Sequence, residues 1–369
     1  MIRVGLVGFG MAGRVFHGPL VSSVDGLELA AVMERTTNKA AERYPGIVTY
    51  RSLEAMLADE SLGLFVVATP SGTHFEIARQ ILEAGKNVVV DKPMSVTSGQ
   101  IAELIRIASD KKVWLLPFFN RRWDSDFQTL KKLLVEESTG RVVFLESTFD
   151  RWRPERPKDR LWKENPEAGG GVLLDLGTHL ADQALALFGK PEGVGAEVKR
   201  ERDGEGANDS FTIRLRYAGL TVELGSNCLS ALVRPRYHLR GTRGNYWKWG
   251  VDPQEAALNT VTRIGAGAWG VEAPEHWGTL KVNAEGATVS LPVETIAGDY
   301  RLYYAGVRDA LLGKAPAPTA AVDAWRVARV LEWAAESSEK RREVECDWSR
   351  EEQGLGVECQ EVVPIQACP

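Results

Sequence analysis

Short apolar runs recur through the first third of the chain, and stretches whose polar and apolar positions alternate at helical spacing follow them. The runs fall at 2–7, 27–33, 62–68, 87–90 and 113–118; the clearest helical stretches are 37–43, 73–84 and 98–109. A run that is apolar on both faces marks a strand buried in a parallel sheet, and Gly85 is a common stop for the helix before it. Parallel strands joined through helices require right-handed crossovers, which gives a doubly wound sheet. This alternation ends near Asn120.

From residue 141 the pattern changes to longer strands with few helices between them, at 141–149, 193–199, 210–217, 221–227 and 236–240. One strong helix, 172–187, precedes most of them, and 300–312 and 322–338 read as helices near the end. The fold class predicted is therefore α/β. A Rossmann-type parallel sheet over 1–120 is followed by an α+β domain with a large, mostly antiparallel open sheet over 121–348, and a tail over 349–369. No internal repeat or low-complexity tract interrupts this division.

Composition narrows the function classes. At 369 residues, with 44% hydrophobic and 26% charged positions, the chain is ordinary globular material with room for two cores. A net charge of −5 argues against a general nucleic-acid binder, which needs many cationic contacts to phosphate. No run of about 18 apolar residues is present to span a bilayer. Met1–Val7 leads straight into a glycine motif without the layout of a secretory signal, so the expected location is cytoplasmic. Cys228, Cys346, Cys359 and Cys368 lack the close spacing of a zinc site, and no metal is expected.

The candidate chemistry begins at Gly8-Phe9-Gly10-Met11-Ala12-Gly13, a G-x-G-x-x-G directly after the first strand. The first glycine permits a tight turn, the second lets a pyrophosphate approach the backbone, and the third lets helix and strand pack closely. The helix N-terminus adds N–H donors and partial positive charge. The next strand ends at Glu34-Arg35, about twenty residues past the motif, where an acid would hold a ribose 2′-hydroxyl. Glu34 tips the cofactor reading toward NAD, whereas Arg35 suits the extra phosphate of NADP.

After the fourth run, Asp91-Lys92-Pro93 places a lysine at the carboxyl end of a central strand, the edge where open α/β sheets bind ligands. There it can donate to a substrate hydroxyl and favour the alkoxide that hydride departure requires. Pro93 fixes the backbone beside it, and the bond before it is a candidate cis bond. In the second domain, Gly169-Gly170-Gly171 opens the helix with Asp175 and His179 four apart, on one face of a regular helix. Histidine is suited to proton transfer near neutral pH, with the carboxylate orienting it or binding substrate.

On these three motifs the chain resembles the Gfo/Idh/MocA oxidoreductase family over roughly 1–348, with Asp91 where Glu is commoner and Thr178 where Pro or Ser is frequent. Three stretches, 120–127, 149–151 and 240–244, look like the branch that holds NADP-dependent scyllo-inositol dehydrogenases. The resemblance implies NADP, a cyclic polyol or sugar as substrate, carbohydrate metabolism and a homodimer. It also implies that Lys92 hydrogen-bonds the reacting hydroxyl, Asp175 positions substrate and His179 is the acid/base.

Further candidates lie at the same sheet edge. Thr69, Pro70 and His74 follow the third run where the chain must pass the cofactor; His74 reads as a helix-start packing residue rather than a catalyst. Asn120 and Arg121 follow the fifth run and are candidates for substrate or nicotinamide contact. The segment 151–156 reads as a solvated loop or a polar lid, and Trp247 and Trp249 as sheet or interface residues. Two alternatives stand beside the polyol dehydrogenase: a sugar or glucoside 3-dehydrogenase, and a non-catalytic dinucleotide-sensing regulator.

Overall fold

The computed structural model describes residues 1–156, 164–165, 169–265, 269–284, 286–353 and 355. Two compact units divide the chain. The first holds residues 1–123, 253–269 and 299–325, and the second holds 124–252, 270–298 and 326–369.

The first unit is built on a six-stranded sheet of β1 (Ile2–Val7), β2 (Leu27–Met33), β3 (Val48–Tyr50), β4 (Leu64–Val67), β5 (Asn87–Val90) and β6 (Leu115–Pro117). The order is β3-β2-β1-β4-β5-β6 and every pairing is parallel. This is the doubly wound sheet expected, with its order reversing between β1 and β4. All four residues of β4 are buried, as a strand covered on both faces requires. The short β3 was not foreseen, because three residues give no periodicity to read. Helices His74–Glu83 and Ser98–Lys111 follow β4 and β5, the second capped by Thr97, whose side chain accepts from the Gln100 amide.

Two late segments complete this core. Helix Arg301–Leu311 buries Tyr303, Tyr304 and Val307 in one cluster with Val4, Leu6 and Phe118, and Leu258 and Ile264 join it. The Tyr303 hydroxyl donates to the Pro117 carbonyl at 2.9 Å, and its ring meets Phe118 edge-on at 4.9 Å.

The second unit carries a nine-stranded sheet: β7 (Val142–Thr148), β8 (Gly193–Lys199), β9 (Ser210–Tyr217), β10 (Leu220–Asn227), β11 (Tyr237–Gly241), β12 (Gly244–Lys248), β13 (Gly278–Ala284), β14 (Ala287–Val293) and β15 (Val344–Glu345). The order is β14-β13-β12-β11-β7-β10-β9-β8-β15, antiparallel throughout except where β7 runs parallel to β10. In β9, buried positions alternate with more exposed ones, so one face of the strand is covered. Helix Thr178–Phe188 is buried along almost its whole length. Ser337 and Ser338 of helix Ala321–Lys340 accept from the amides of Ala196 and Val198, fastening β8.

Of strands β12 to β15, the sequence reading touched the first alone, through Trp247 as a sheet or interface residue. The first belongs to a hairpin whose Trp247 stacks on His238 at 4.8 Å, while Lys248 is fully buried against Glu272 at 3.0 Å. Of the expected tail, residue 354 and everything from 356 on, with Cys359 and Cys368, lie outside the described residues. Cys228 and Cys346 are free thiols. No helix among the described residues is long and apolar enough to cross a membrane.

Candidate functional site

At the end of β1, Gly8 adopts φ +95°, and a Cβ there would stand 2.9 Å from the Ala68 carbonyl oxygen. A Cβ on Gly13 would stand 2.3 Å from the Gly8 oxygen. The fold itself thus demands both glycines. Gly10 differs, because a Cβ there meets nothing within 4 Å. Protein packing gives no reason for that glycine, whereas a pyrophosphate lying against the backbone does. Phe9 is buried, Met11 is exposed, and residues Gly13–His17 form one π-helical turn, a rare form met mostly at functional positions.

Glu34, at the end of β2, is buried, and its carboxylate caps the next helix. It accepts from the amides of Ala40 at 2.8 Å and Lys39 at 3.2 Å, and from the Thr37 hydroxyl. Arg35 beside it is exposed, with no ion pair among the described residues.

The Lys92–Pro93 turn after β5 contains a cis peptide bond. The Asp91 carboxylate accepts from the Lys92 amide at 2.8 Å and lies 3.8 Å from the His17 Nε2, a separation that makes the contact electrostatic rather than a hydrogen bond. His17 is fully buried and its Nδ1 is 2.6 Å from the Tyr304 hydroxyl. Burial alone would raise the Asp91 carboxyl, but the His17 ring, and then the charges of His74 and Lys92, hold it below the usual range. Sequence reasoning passed over His17; the signal available was a histidine four residues past Gly13, on the helix the glycine motif opens.

His74 starts its helix with both ring nitrogens on backbone carbonyls, Pro93 at 2.8 Å and Thr69 at 2.7 Å. Thr69 also meets the Thr73 hydroxyl at 2.8 Å. Beyond β6, Asn120 is buried in a short 3-10 turn with Arg121, whose guanidinium pairs with Glu255 at 2.7 Å. Arg122 pairs with Asp323 at 3.0 Å. Thr69, His74, Asp91, Lys92, Asn120 and Arg121 therefore all follow the carboxyl ends of β4, β5 and β6 in the first unit.

Residues 2–119 match the oxidoreductase family's NAD-binding Rossmann fold, and residues 131–346 match the oxidoreductase family's C-terminal alpha/beta domain. The chain belongs to the Gfo/Idh/MocA oxidoreductase family. It is 40% identical to the oxidoreductase YdgJ of Escherichia coli (strain K12), over 92% of this chain and 97% of that one. It is 34% identical to the scyllo-inositol 2-dehydrogenase (NADP(+)) IolW of Bacillus subtilis (strain 168), over 93% and 95% respectively. The solved structure of the oxidoreductase YPO2259 from Yersinia pestis superposes with a TM-score of 0.88 at 41% identity, covering 94% of this chain and 97% of that one. The protein is thus an oxidoreductase of the NAD(P)-dependent dehydrogenase kind, as its motifs led us to expect.

In the second unit, this Gfo/Idh/MocA protein departs from a regular helix at the predicted acid/base pair. Residues Leu173–Gly177 form a second π turn, so Asp175 lies in the wide turn and His179 in the first turn of the α-helix after it. Asn208 holds the start: its backbone oxygen accepts from Val172 and its side chain from Leu173, at 3.0 and 2.9 Å. Gly171, at φ +102°, is required because a Cβ would strike that same Asn208 side chain at 2.7 Å. Asp175 is half-buried with the Arg151 guanidinium 4.0 Å away, and His179 is buried.

One turn past His179, Gln183 Oε1 accepts from Arg236 at 2.6 Å and from the Tyr237 hydroxyl at 3.0 Å. Arg236 is itself buried, sandwiched between the rings of Phe149 and Tyr237 at 3.9 and 4.1 Å and 3.4 Å from the Asp126 carboxylate. Arg156, at the far end of the 151–156 segment, pairs with Asp209 and Glu164. Of that segment, Arg151 reaches a candidate site residue. Among the described residues no cluster of His, Cys, Asp and Glu could hold a metal ion.

Proposed function

We propose that the protein interconverts a secondary hydroxyl and a ketone on a cyclic polyol or sugar, with NADP preferred over NAD. The bound nicotinamide supplies the hydride acceptor or donor. Lys92 donates a hydrogen bond to the reacting oxygen and stabilises negative charge developing there, in a turn that Asp91 and His17 hold. His179 takes the hydroxyl proton and returns it in the reverse direction, and Asp175, with Arg151 beside it, orients the substrate's other hydroxyls.

The observation that carries the reaction is the Lys92 turn at the carboxyl edge of the parallel sheet, with its neighbouring carboxylate held ionised. For the cofactor it is Glu34. A carboxylate already accepting three hydrogen bonds from its own helix start is a poor partner for a ribose hydroxyl, and it leaves exposed Arg35 as the group suited to a 2′-phosphate. The NADP(+) in the IolW relative's name agrees with this choice.

The test is a panel of inositols, aldoses and glucosides assayed with both cofactors by absorbance at 340 nm. We expect turnover of a polyol or sugar with the higher kcat/KM for NADP. The variant His179→Ala should lose turnover by about 10²- to 10⁴-fold while binding cofactor normally. Arg35→Ala should erase the preference for NADP. Unchanged turnover in the first variant, or an unchanged cofactor ratio in the second, refutes the role concerned.

A further inference from the structure

Both nitrogens of the His74 ring face oxygen atoms that can only accept. Nδ1 lies 2.8 Å from the Pro93 carbonyl and Nε2 lies 2.7 Å from the Thr69 carbonyl. A neutral imidazole carries a proton on one nitrogen and a lone pair on the other. In that state one contact would set lone pair against lone pair at hydrogen-bond distance. The residue is 1% exposed; its contact with the Pro93 carbonyl is buried and that with the Thr69 carbonyl is partly buried.

We propose that His74 is held doubly protonated, as an imidazolium clamp tying the loop after β4 to the cis turn after β5, and that it is thereby a positioning residue for Lys92. Thr69 and Pro93 are the two carbonyls it joins, and Lys92 immediately precedes Pro93. The clamp thus spans the loop expected to pass the cofactor and the turn carrying the lysine. Because neutral imidazole satisfies at most one of the two, only the charged ring fixes both loops.

The surroundings supply a counter-charge. Asp91, at the end of β5, is held ionised, with the charge of His74 among the causes after that of His17. Two groups oppose the ring's charge: the ammonium of Lys92, and the positive end of the ring's own helix, His74–Glu83. His17, on the π turn, stands behind Asp91 with Tyr304 on its other nitrogen. The link to Lys92 rests on the reaction proposed above; the charge state of the ring does not.

The experiment is long-range ¹H–¹⁵N spectroscopy of the whole chain labelled at its five histidines, with the His74 signals assigned by their loss in His74→Phe. At pH 7.5 we expect both ring nitrogens of His74 to show the shifts of a protonated imidazolium. One protonated and one bare nitrogen would overturn the clamp. In kinetics, folded His74→Phe should lose kcat at least tenfold with a smaller change in KM for the polyol, and an unchanged kcat would overturn the positioning role. Should that variant fail to fold, the wild-type kcat is followed against pH. A fall that coincides with loss of the second ring proton supports the role, and a flat profile through that transition sinks it. Failure of the wild type to turn over any polyol or sugar would remove the proposed reaction, and with it the role assigned to Lys92, while the ring spectra still decide the clamp.

Discussion

The helix after the glycine turn in the first unit and the helix carrying His179 in the second both begin with a π turn, Gly13–His17 and Leu173–Gly177. Backbone closeness sets the first. Gly13 leaves no room between helix and strand, and the turn ends on a histidine buried between Tyr304 and Asp91. Side chains from distant parts of the sequence set the second. Asn208 caps its start, and Arg236, backed by Asp126, grips Gln183 one turn beyond His179. A wide turn departs from ordinary helical hydrogen bonding, so something must hold it. The two units solve that problem with different chemistry, and the difference predicts which substitutions each will tolerate.

The largest effect is expected in the second unit. Arg236 and Asp126 are fully buried, and the Asp126 oxygens have no hydrogen bond among the described residues, so the arginine is the charge that compensates them. Arg236→Met leaves that carboxylate alone in the interior, at a cost of about 3–5 kcal/mol. Urea unfolding measures it. A loss below about 1 kcal/mol would mean that the guanidinium is not what holds this helix.

The first unit should respond to a single methyl group. Gly13→Ala forces a Cβ onto the Gly8 carbonyl and should cost about 1–3 kcal/mol as the helix is pushed off the strand. Gly10→Ala meets no protein atom and should leave stability within about 0.5 kcal/mol of the wild type. It should nevertheless weaken cofactor binding by about tenfold or more, the equivalent of about 1.4 kcal/mol. Unfolding curves and cofactor titrations on the two variants separate these outcomes. Equal destabilisation by both would contradict the assignment of Gly13 to packing and Gly10 to the ligand.

The same contrast explains what could be read from the chain. The parallel sheet and its glycine turn follow from local signals, namely apolar runs, their spacing and a motif that names its own conformation. The place of Lys92 after β5 was legible for the same reason, because strand ends are visible and the ligand edge of such a sheet is fixed by topology. The supports of the second helix were not legible, since Asn208 and Arg236 are remote from Leu173 and Gln183 and nothing near them in sequence announces the contact. Helical spacing placed Asp175 and His179 on one face of a regular helix, and the π turn between them has no periodic signature. His17 was missed because the motif that begins its helix drew the reading to the glycines, and its partners, Asp91 and Tyr304, come from far along the chain. Glu34 was legible as a candidate for the ribose, but its contacts to the helix it precedes were not, since they form only once Thr37, Lys39 and Ala40 fold back over it.

The smallest effect tests the electrostatics of the first unit. Asp91 has a folded-state pKa below its unfolded value, so its ionisation stabilises the fold above the unfolded carboxyl value, about pH 3.9. That contribution fades as the pH falls from there through the lower folded value. Asp91→Asn removes the titrating group. It should therefore be less stable than the wild type at neutral pH and show a shallower loss of stability on acidification, measured as urea midpoints between pH 7 and the acid transition. The His17 ring, 3.8 Å away, is the partner that gives this carboxylate its value, so His17→Phe should flatten the same limb. An acid limb unchanged in both variants would mean that the buried histidine and the carboxylate do not sense each other, and that the first unit's turn rests on its glycines alone.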